Sequence, residues 1–332
     1  MRRIALGFGW LLGLLVAGLV GFGIAARLSP KPASVVLRRN FDRHGYARFT
    51  ATAPYVPAHV ESLVDIPYRD GDRDALLDVH RSTASDGTLP TIVWVHGGAW
   101  LSGSKDLIAN YLRVVAGEGS TVVGIGYSIA PRATYPTPVL QVLDALAYLT
   151  EHAEELGIDP ARLVLAGDSA GAQIAAQVAG VITSPQYAAS IDAHPRISPD
   201  QIAATVLFCG VFDMSFARGL RGRDRWFVDS VMRSFTGSAA YLDDPRFAGI
   251  SVVEHLTADF PRTLVSCGNA DPALRHSLSL VATLERLDVP HETLFFDDDH
   301  VPPVGHEFQF HVDTDAGRLA LETIQKFVAQ LP

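Results

Sequence analysis

The run Gly167-Asp168-Ser169-Ala170-Gly171 lies between an apolar β-branched segment, Arg162-Leu163-Val164-Leu165-Ala166, and an Ala-rich helical segment, Ala172 to Ile182. A serine flanked by glycines two residues before and two after fits a sharp strand-to-helix turn. The small residues make that turn sterically possible, and the turn lifts the hydroxyl clear of the sheet. A serine hydroxyl is a weak nucleophile until a base takes its proton. Ser169 is therefore a candidate nucleophile, and its base and acid must lie elsewhere in the chain. Gly and Ser are common residues, so the pentapeptide gains its meaning from the strand before it and the helix after it.

The rest of the chain supplies a sheet for such a turn to sit on. Glu61 to Tyr68 and Ala75 to His80 alternate apolar and polar residues around Arg69-Asp70-Gly71-Asp72, the pattern of an edge hairpin. Thr91 to Val95 and Thr121 to Tyr127 are short continuous apolar runs, as buried parallel strands require. Leu107 to Ala116 has helical spacing between them, and Val139 to Leu156 is amphipathic with leucines at 140, 143, 146 and 149. Ile202 to Cys209, Thr263 to Cys267 and His291 to Phe296 predict further strands, and Ala316 to Leu331 a closing helix. Alternation at this spacing implies an α/β fold over about residues 60–332, with a mostly parallel central sheet and helices on both faces. Phe212 to Thr257 breaks the rhythm with charge clusters and aromatics, Phe216, Trp226, Phe227, Phe235, Tyr241 and Phe247 among them. It predicts a helical cap insertion, at about 212–257, over the end of the sheet. Its aromatics either line a pocket or only pack the insertion down, and packing is the commoner use of any one of them.

Three further motifs carry chemistry. His96-Gly97-Gly98-Ala99-Trp100 directly follows the strand Thr91 to Val95. An oxyanion needs preorganised N–H donors, and glycines let backbone approach without a Cβ in the way. The N–H groups of Gly97 and Gly98, with that of Ala170 after the nucleophile, are the expected oxyanion hole. His96 is expected to order this loop rather than act as the base. Gly268-Asn269-Ala270-Asp271-Pro272 ends the strand Thr263 to Cys267, which puts Asp271 at a carboxyl-terminal strand end, where parallel sheets present ligand-facing residues. Two histidines follow it. His300 comes after Asp297-Asp298-Asp299, and His306 stands in Gly305-His306-Glu307-Phe308. The chain order Ser, Asp, His is met by either one.

With Tyr127-Ser128-Ile129-Ala130-Pro131, these motifs resemble the hormone-sensitive-lipase-like branch of the α/β-hydrolase fold esterases. The likeness covers roughly residues 60 to 331. It departs at Ala99, where that branch commonly has a third glycine, and at Ser128 and Ala172. The base motif, His-Gly-Phe in the branch, stands here as His306-Glu307-Phe308. The resemblance implies carboxylic ester hydrolysis by Ser169, Asp271 and His306, with no metal and no organic cofactor. His306 is 35 residues beyond Asp271, while His300, at 29, has the spacing the branch leads one to expect. His300 thus stays as the alternative base. Amidase, arylformamidase or peptidase chemistry stays open on the same triad. A membrane-tethered binding module on an inactivated hydrolase fold is disfavoured, because nucleophile, acid and base all have candidates.

The small-molecule ester that the resemblance implies is the one substrate expected. A net charge of −9 without a basic stripe argues against nucleic acid as a partner. Cys209 and Cys267 fit neither a zinc site nor a CxxC pair, so two buried free thiols are expected, which leaves the redox compartment open. Ile4 to Ala26 is an uncharged apolar run between Arg2-Arg3 and Arg27, long enough to cross a bilayer as a helix. Residues 1–29 are expected to be a membrane anchor, with a cleaved secretory signal as the alternative, and 30–59 a linker or peripheral wrap. The expected catalytic body is extracytoplasmic. Oligomeric state is not legible.

Overall fold

A computed structural model describes Ser29, residues 31–84 and residues 89–331. After helix α1 (Lys31–Thr52) come strands β1 (Val60–Pro67), β2 (Leu76–Ser82) and β3 (Thr91–Val95). Helix α2 (Lys105–Ala116), β4 (Thr121–Ile125), α3 (Thr137–Glu151) and the short α4 (Ala153–Leu156) follow. Next are β5 (Leu163–Asp168), α5 (Ala170–Thr183), the short α6 (Pro185–Ser190) and β6 (Ile202–Phe208). The chain ends with α7 (Gly222–Thr236), β7 (Thr263–Cys267), α8 (Leu274–Arg286), β8 (His291–Phe295) and α9 (Asp315–Ala329). The strands form one sheet in the order β1-β2-β4-β3-β5-β6-β7-β8. β1 and β2 pair antiparallel at one edge, β2 joins β4 antiparallel, and the rest are parallel.

Alternation along the strands builds two cores. Val93, Val95, Leu163 and Leu165 point to the face covered by α3 and α5. Their neighbours Ile92, Trp94, Val164 and Ala166 point to the other face, under α2 and α9. All five residues of β3 are buried, as a strand covered on both sides must be. The hydroxyl of Ser104 caps α2 by accepting from the Leu107 N–H at 3.3 Å, and Thr314 caps α9 by accepting from Gly317 at 3.1 Å. The single amphipathic helix expected over Val139 to Leu156 breaks at His152, and Gly157 ends its short second piece in the left-handed conformation.

Two expectations about the N-terminus meet different outcomes. The apolar run Ile4 to Ala26 lies outside the described residues, and among the described residues no helix is long and apolar enough to cross a membrane. Most of the segment expected as a linker or peripheral wrap is the 22-residue helix α1. It is fixed to the body by polar contacts. Arg38 donates to the carbonyls of Leu101 and Ala130, both at 2.6 Å, Asp42 accepts from the Ser102 hydroxyl at 2.7 Å, and Asn110 donates to the Phe49 carbonyl at 2.9 Å. The insertion between β6 and β7 carries α7 flanked by short 3-10 turns, and Phe41 of α1 meets Phe227 of α7 edge-on at 6.3 Å.

Candidate active site

Ser169 sits where β5 meets α5, with φ +52° and ψ −118°. That left-handed conformation strains a non-glycine residue and is sustained by its surroundings. The Ser169 N–H donates to the Phe208 carbonyl of β6 at 2.8 Å. A Cβ on Gly171 would stand 2.0 Å from the Val95 carbonyl oxygen, so a glycine lets α5 start this close to β3. The turn thus aims the Ser169 side chain off the carboxyl end of the sheet.

The Ser169 hydroxyl lies 3.0 Å from Nε2 of His306. The His306 Nδ1–H donates to the Asp271 carboxylate, at 2.8 Å to Oδ2 and 3.0 Å to Oδ1. That bond fixes the tautomer and leaves Nε2 as the acceptor for the serine proton. Asp271 is buried, and His306 is exposed on the cavity, its side chain at 36%. Burial disfavours the charged ring, while Cys209, Asp271 and Glu307 favour it, and its pKa lies well above the ordinary histidine value. Burial pushes the pKa of the Cys209 thiol up. Both cysteines are free and buried, as expected. His300 is not at the serine. It closes a turn onto the Asp297 carbonyl and packs its ring against Phe296 at 5.0 Å.

The glycine loop after β3 differs from its expectation in one respect. Gly98, Ala99 and Trp100 run through positive φ, at +113°, +53° and +56°. Among the described residues, neither the Gly98 nor the Ala170 N–H has a hydrogen-bond partner. The Gly97 N–H does have one: it donates to Oδ2 of Asp168 at 2.9 Å. Gly97 therefore leaves the expected donor set, because a carboxyl oxygen from the nucleophile turn already holds its proton. His96 orders the loop. Its ring stacks on Tyr127 at 4.2 Å, the Tyr127 hydroxyl donates to its carbonyl at 2.7 Å, and burial lowers its pKa to about 4.

A cavity of about 640 Å³ opens over Ser169, within the size range of small-molecule sites. Phe41 and Phe49 of α1 face Val228, Val231 and Met232 of α7 across it. Of the insertion's aromatics, Phe216 and Phe227 line the cavity, whereas Phe235, Tyr241 and Phe247 are buried in packing. Sequence reasoning missed the part of α1 in this wall. It also missed Arg48, Glu307 and Trp94, which touch the site's own residues: Arg48 pairs with Glu307, and the Trp94 Nε1–H donates to Oδ1 of Asp168 at 2.8 Å.

The sequence pattern of a family described by the α/β-hydrolase fold matches residues 92–308. The chain is 26% identical to esterase LipQ of Mycobacterium tuberculosis over 284 residues, covering 83% of this chain and 65% of LipQ. It is 26% identical to the acetyl esterase of Salmonella paratyphi B over 210 residues, covering 61% of each. The chain thus spans just under two thirds of these curated relatives' length. Among solved structures, esterase B from Lactobacillus Rhamnosis superposes with a TM-score of 0.76 at 23% identity, over 90% of this chain and 95% of that one.

Proposed function

Because the chain belongs to the α/β-hydrolase family, we propose that it is a serine hydrolase of carboxylic esters that works through an acyl-enzyme. One observation carries this reading: a continuous hydrogen-bonded chain from Asp271 through His306 to Ser169, ending in an apolar cavity. The resemblance to named esterases supports the same class of reaction.

The steps follow from the geometry. The Ser169 hydroxyl attacks the acyl carbon while Nε2 of His306 takes its proton. Asp271 holds the ring in the Nδ1–H tautomer and stabilises the imidazolium. The N–H groups of Gly98 and Ala170 are the donors for the developing oxyanion. His306 then gives its proton to the leaving alcohol, and later draws one from water to release the acid and restore Ser169. None of these steps calls on a metal or an organic cofactor. The carbonyl carbon is the same in an amide, so a matched panel of p-nitrophenyl esters and anilides separates esterase from amidase. Hydrolysis of esters, weak or no cleavage of anilides, and loss of both in Ser169→Ala are expected; ester turnover that survives Ser169→Ala contradicts the reading.

For placement in the cell, the proposal keeps the apolar run Ile4 to Ala26 as a membrane tether, with the catalytic body outside the cytoplasm. Carbonate extraction of membranes, and protease added to intact cells, check the tether and the orientation in turn.

A further inference from the structure

A second chain of polar groups borders the same cavity beside the site, and the mechanism above leaves it unused. Glu307 follows the base in sequence, and its carboxylate is ion-paired with Arg48 of α1, 259 residues earlier. The Arg48 guanidinium also lies over the Phe310 ring, 5.1 Å from its centre. On its other side Glu307 meets the carboxyl of Asp168, the residue before the nucleophile. Asp168 is 2% exposed. It accepts from Trp94 and from the first peptide of the oxyanion loop, Gly97. A Cβ on Gly97 would stand 2.2 Å from Oδ2 of Asp168 and 3.0 Å from Oε1 of Glu307, so both carboxyls converge on this one peptide.

Two neighbouring carboxyls with one part-buried cation balance when one of them keeps its proton. Burial, and after it the charge of Glu307, pushes Asp168 up to about 8. Burial acts upward on Glu307 too, but Arg48 and then His306 outweigh it and hold that group below the ordinary carboxylate range. Near neutral pH, Asp168 is thus a proton donor to a charged Glu307. One continuous unit then touches the segments before the nucleophile, after the base and at the start of the oxyanion loop.

We propose that Arg48 and Glu307 are positioning residues, which tie α1 into the catalytic centre and, through Asp168, hold Ser169, His306 and the Gly97–Gly98 loop in register. This rests on the ester-hydrolase reading of the site. A buried ion pair is poor evidence of stability by itself, since apolar replacements of equal volume often match it. What marks this one is its address: its Glu307 end follows the base and, through Asp168, reaches the nucleophile turn and Gly97, segments that are far apart in the chain.

The test compares full-length Arg48→Met, Arg48→Lys, Glu307→Gln and Arg48→Met/Glu307→Gln, with folding checked by circular dichroism. On a p-nitrophenyl ester, Arg48→Met is expected to lower kcat about 10- to 100-fold, the scale of a small misplacement of reacting groups, with KM little changed. Arg48→Lys recovers part of the loss. At pH 8 the double variant is less impaired than Arg48→Met, because it leaves no uncompensated buried carboxylate. Glu307→Gln removes one charge that raises His306, so the acid limb of kcat/KM moves to lower pH. The charged and titratable groups facing Glu307 are Arg48 from α1, Asp168 from β5, His306 beside it and Cys209 beyond β6, with Tyr111 of α2 facing Asp168. The ring proton of His306, followed by NMR, shifts its titration in the same direction and needs no turnover. A wild type without ester hydrolysis would defeat the functional reading and leave this titration as the test of the unit. Wild-type kcat and an unmoved titration in Glu307→Gln would overturn the proposal. So would losses in Arg48→Met that track only the folded fraction, with an unmoved pH limb.

Discussion

Two chains of polar contacts leave the dipeptide His306-Glu307 in opposite directions, and they are built differently. The forward one, His306 to Ser169 and Asp271, joins groups at the carboxyl ends of parallel strands and opens on a cavity. The rear one, Glu307 to Arg48 and Asp168, reaches outside the sheet to α1; it borders the same cavity but is less exposed there, the Glu307 side chain at 12% against 36% for His306. The forward chain has a titratable ring between a carboxylate and a hydroxyl, so a proton can move along it. The rear chain has a part-buried cation and one retained proton, so its charge is balanced.

Breaking the forward chain should have the largest effect. Ser169→Ala and His306→Ala are each expected to lower kcat by about 10⁴- to 10⁶-fold with the fold retained, measured as ester turnover and thermal unfolding. His300→Ala, away from the serine, should keep near wild-type turnover. If His300→Ala kills activity and His306→Ala does not, the forward chain has been drawn through the wrong residue. Gly97→Ala strikes where the two chains share a loop. Its Cβ has no room beside Asp168, so turnover should fall by about 10²-fold, with a lowered unfolding temperature. Retained activity there would mean that the loop and Asp168 part without consequence.

Smaller effects separate the chains by pH. The raised pKa of His306 means that the base is protonated, and idle, through the ordinary histidine range. The acid limb of kcat/KM should therefore lie above about 6.5. Asp168 is the rear counterpart. Its pKa is raised to about 8 in the fold from 3.8, so its contribution to stability is full below the unfolded value and is lost as pH rises through the folded one. Between pH 5 and 8 the unfolding free energy of the wild type should fall more steeply than that of Asp168→Asn, by at most about 1.4 kcal/mol per pH unit. Parallel slopes would show that Asp168 does not keep its proton in the fold.

The difference between the chains also explains what the sequence could and could not announce. Strands β3 to β7 were legible because each is a short, mostly apolar run whose residues alternate between two cores. Ser169 and Asp271 were legible because strand ends and glycine turns are local patterns. For the histidine two signals competed: the local motif His306-Glu307-Phe308 favoured His306 and the distance from Asp271 favoured His300. Residues 297–300 close on themselves as a turn, and His306 is the one within reach of the serine. Gly97 misled for a related reason. A glycine after a strand announces close approach, yet not which group approaches, and here it is a carboxyl 71 residues away. Helix α1 was the least legible element. Lys31 to Thr52 mixes Arg38, Arg39, Asp42 and Arg43 with aromatics and shows no clean apolar stripe, because it is held through Arg38, Asp42 and Arg48 by partners distant in sequence.

The most direct measurement traps the acyl-enzyme. Full-length protein treated with a p-nitrophenyl alkylphosphonate, which arrests the reaction at the nucleophile, should gain one equivalent of adduct by intact mass. Peptide mapping should place it on Ser169, with none in Ser169→Ala and slow labelling in His306→Ala. Stoichiometric labelling at another residue, or ester turnover that survives with Ser169 unlabelled, would contradict the assignment of Ser169 as the nucleophile.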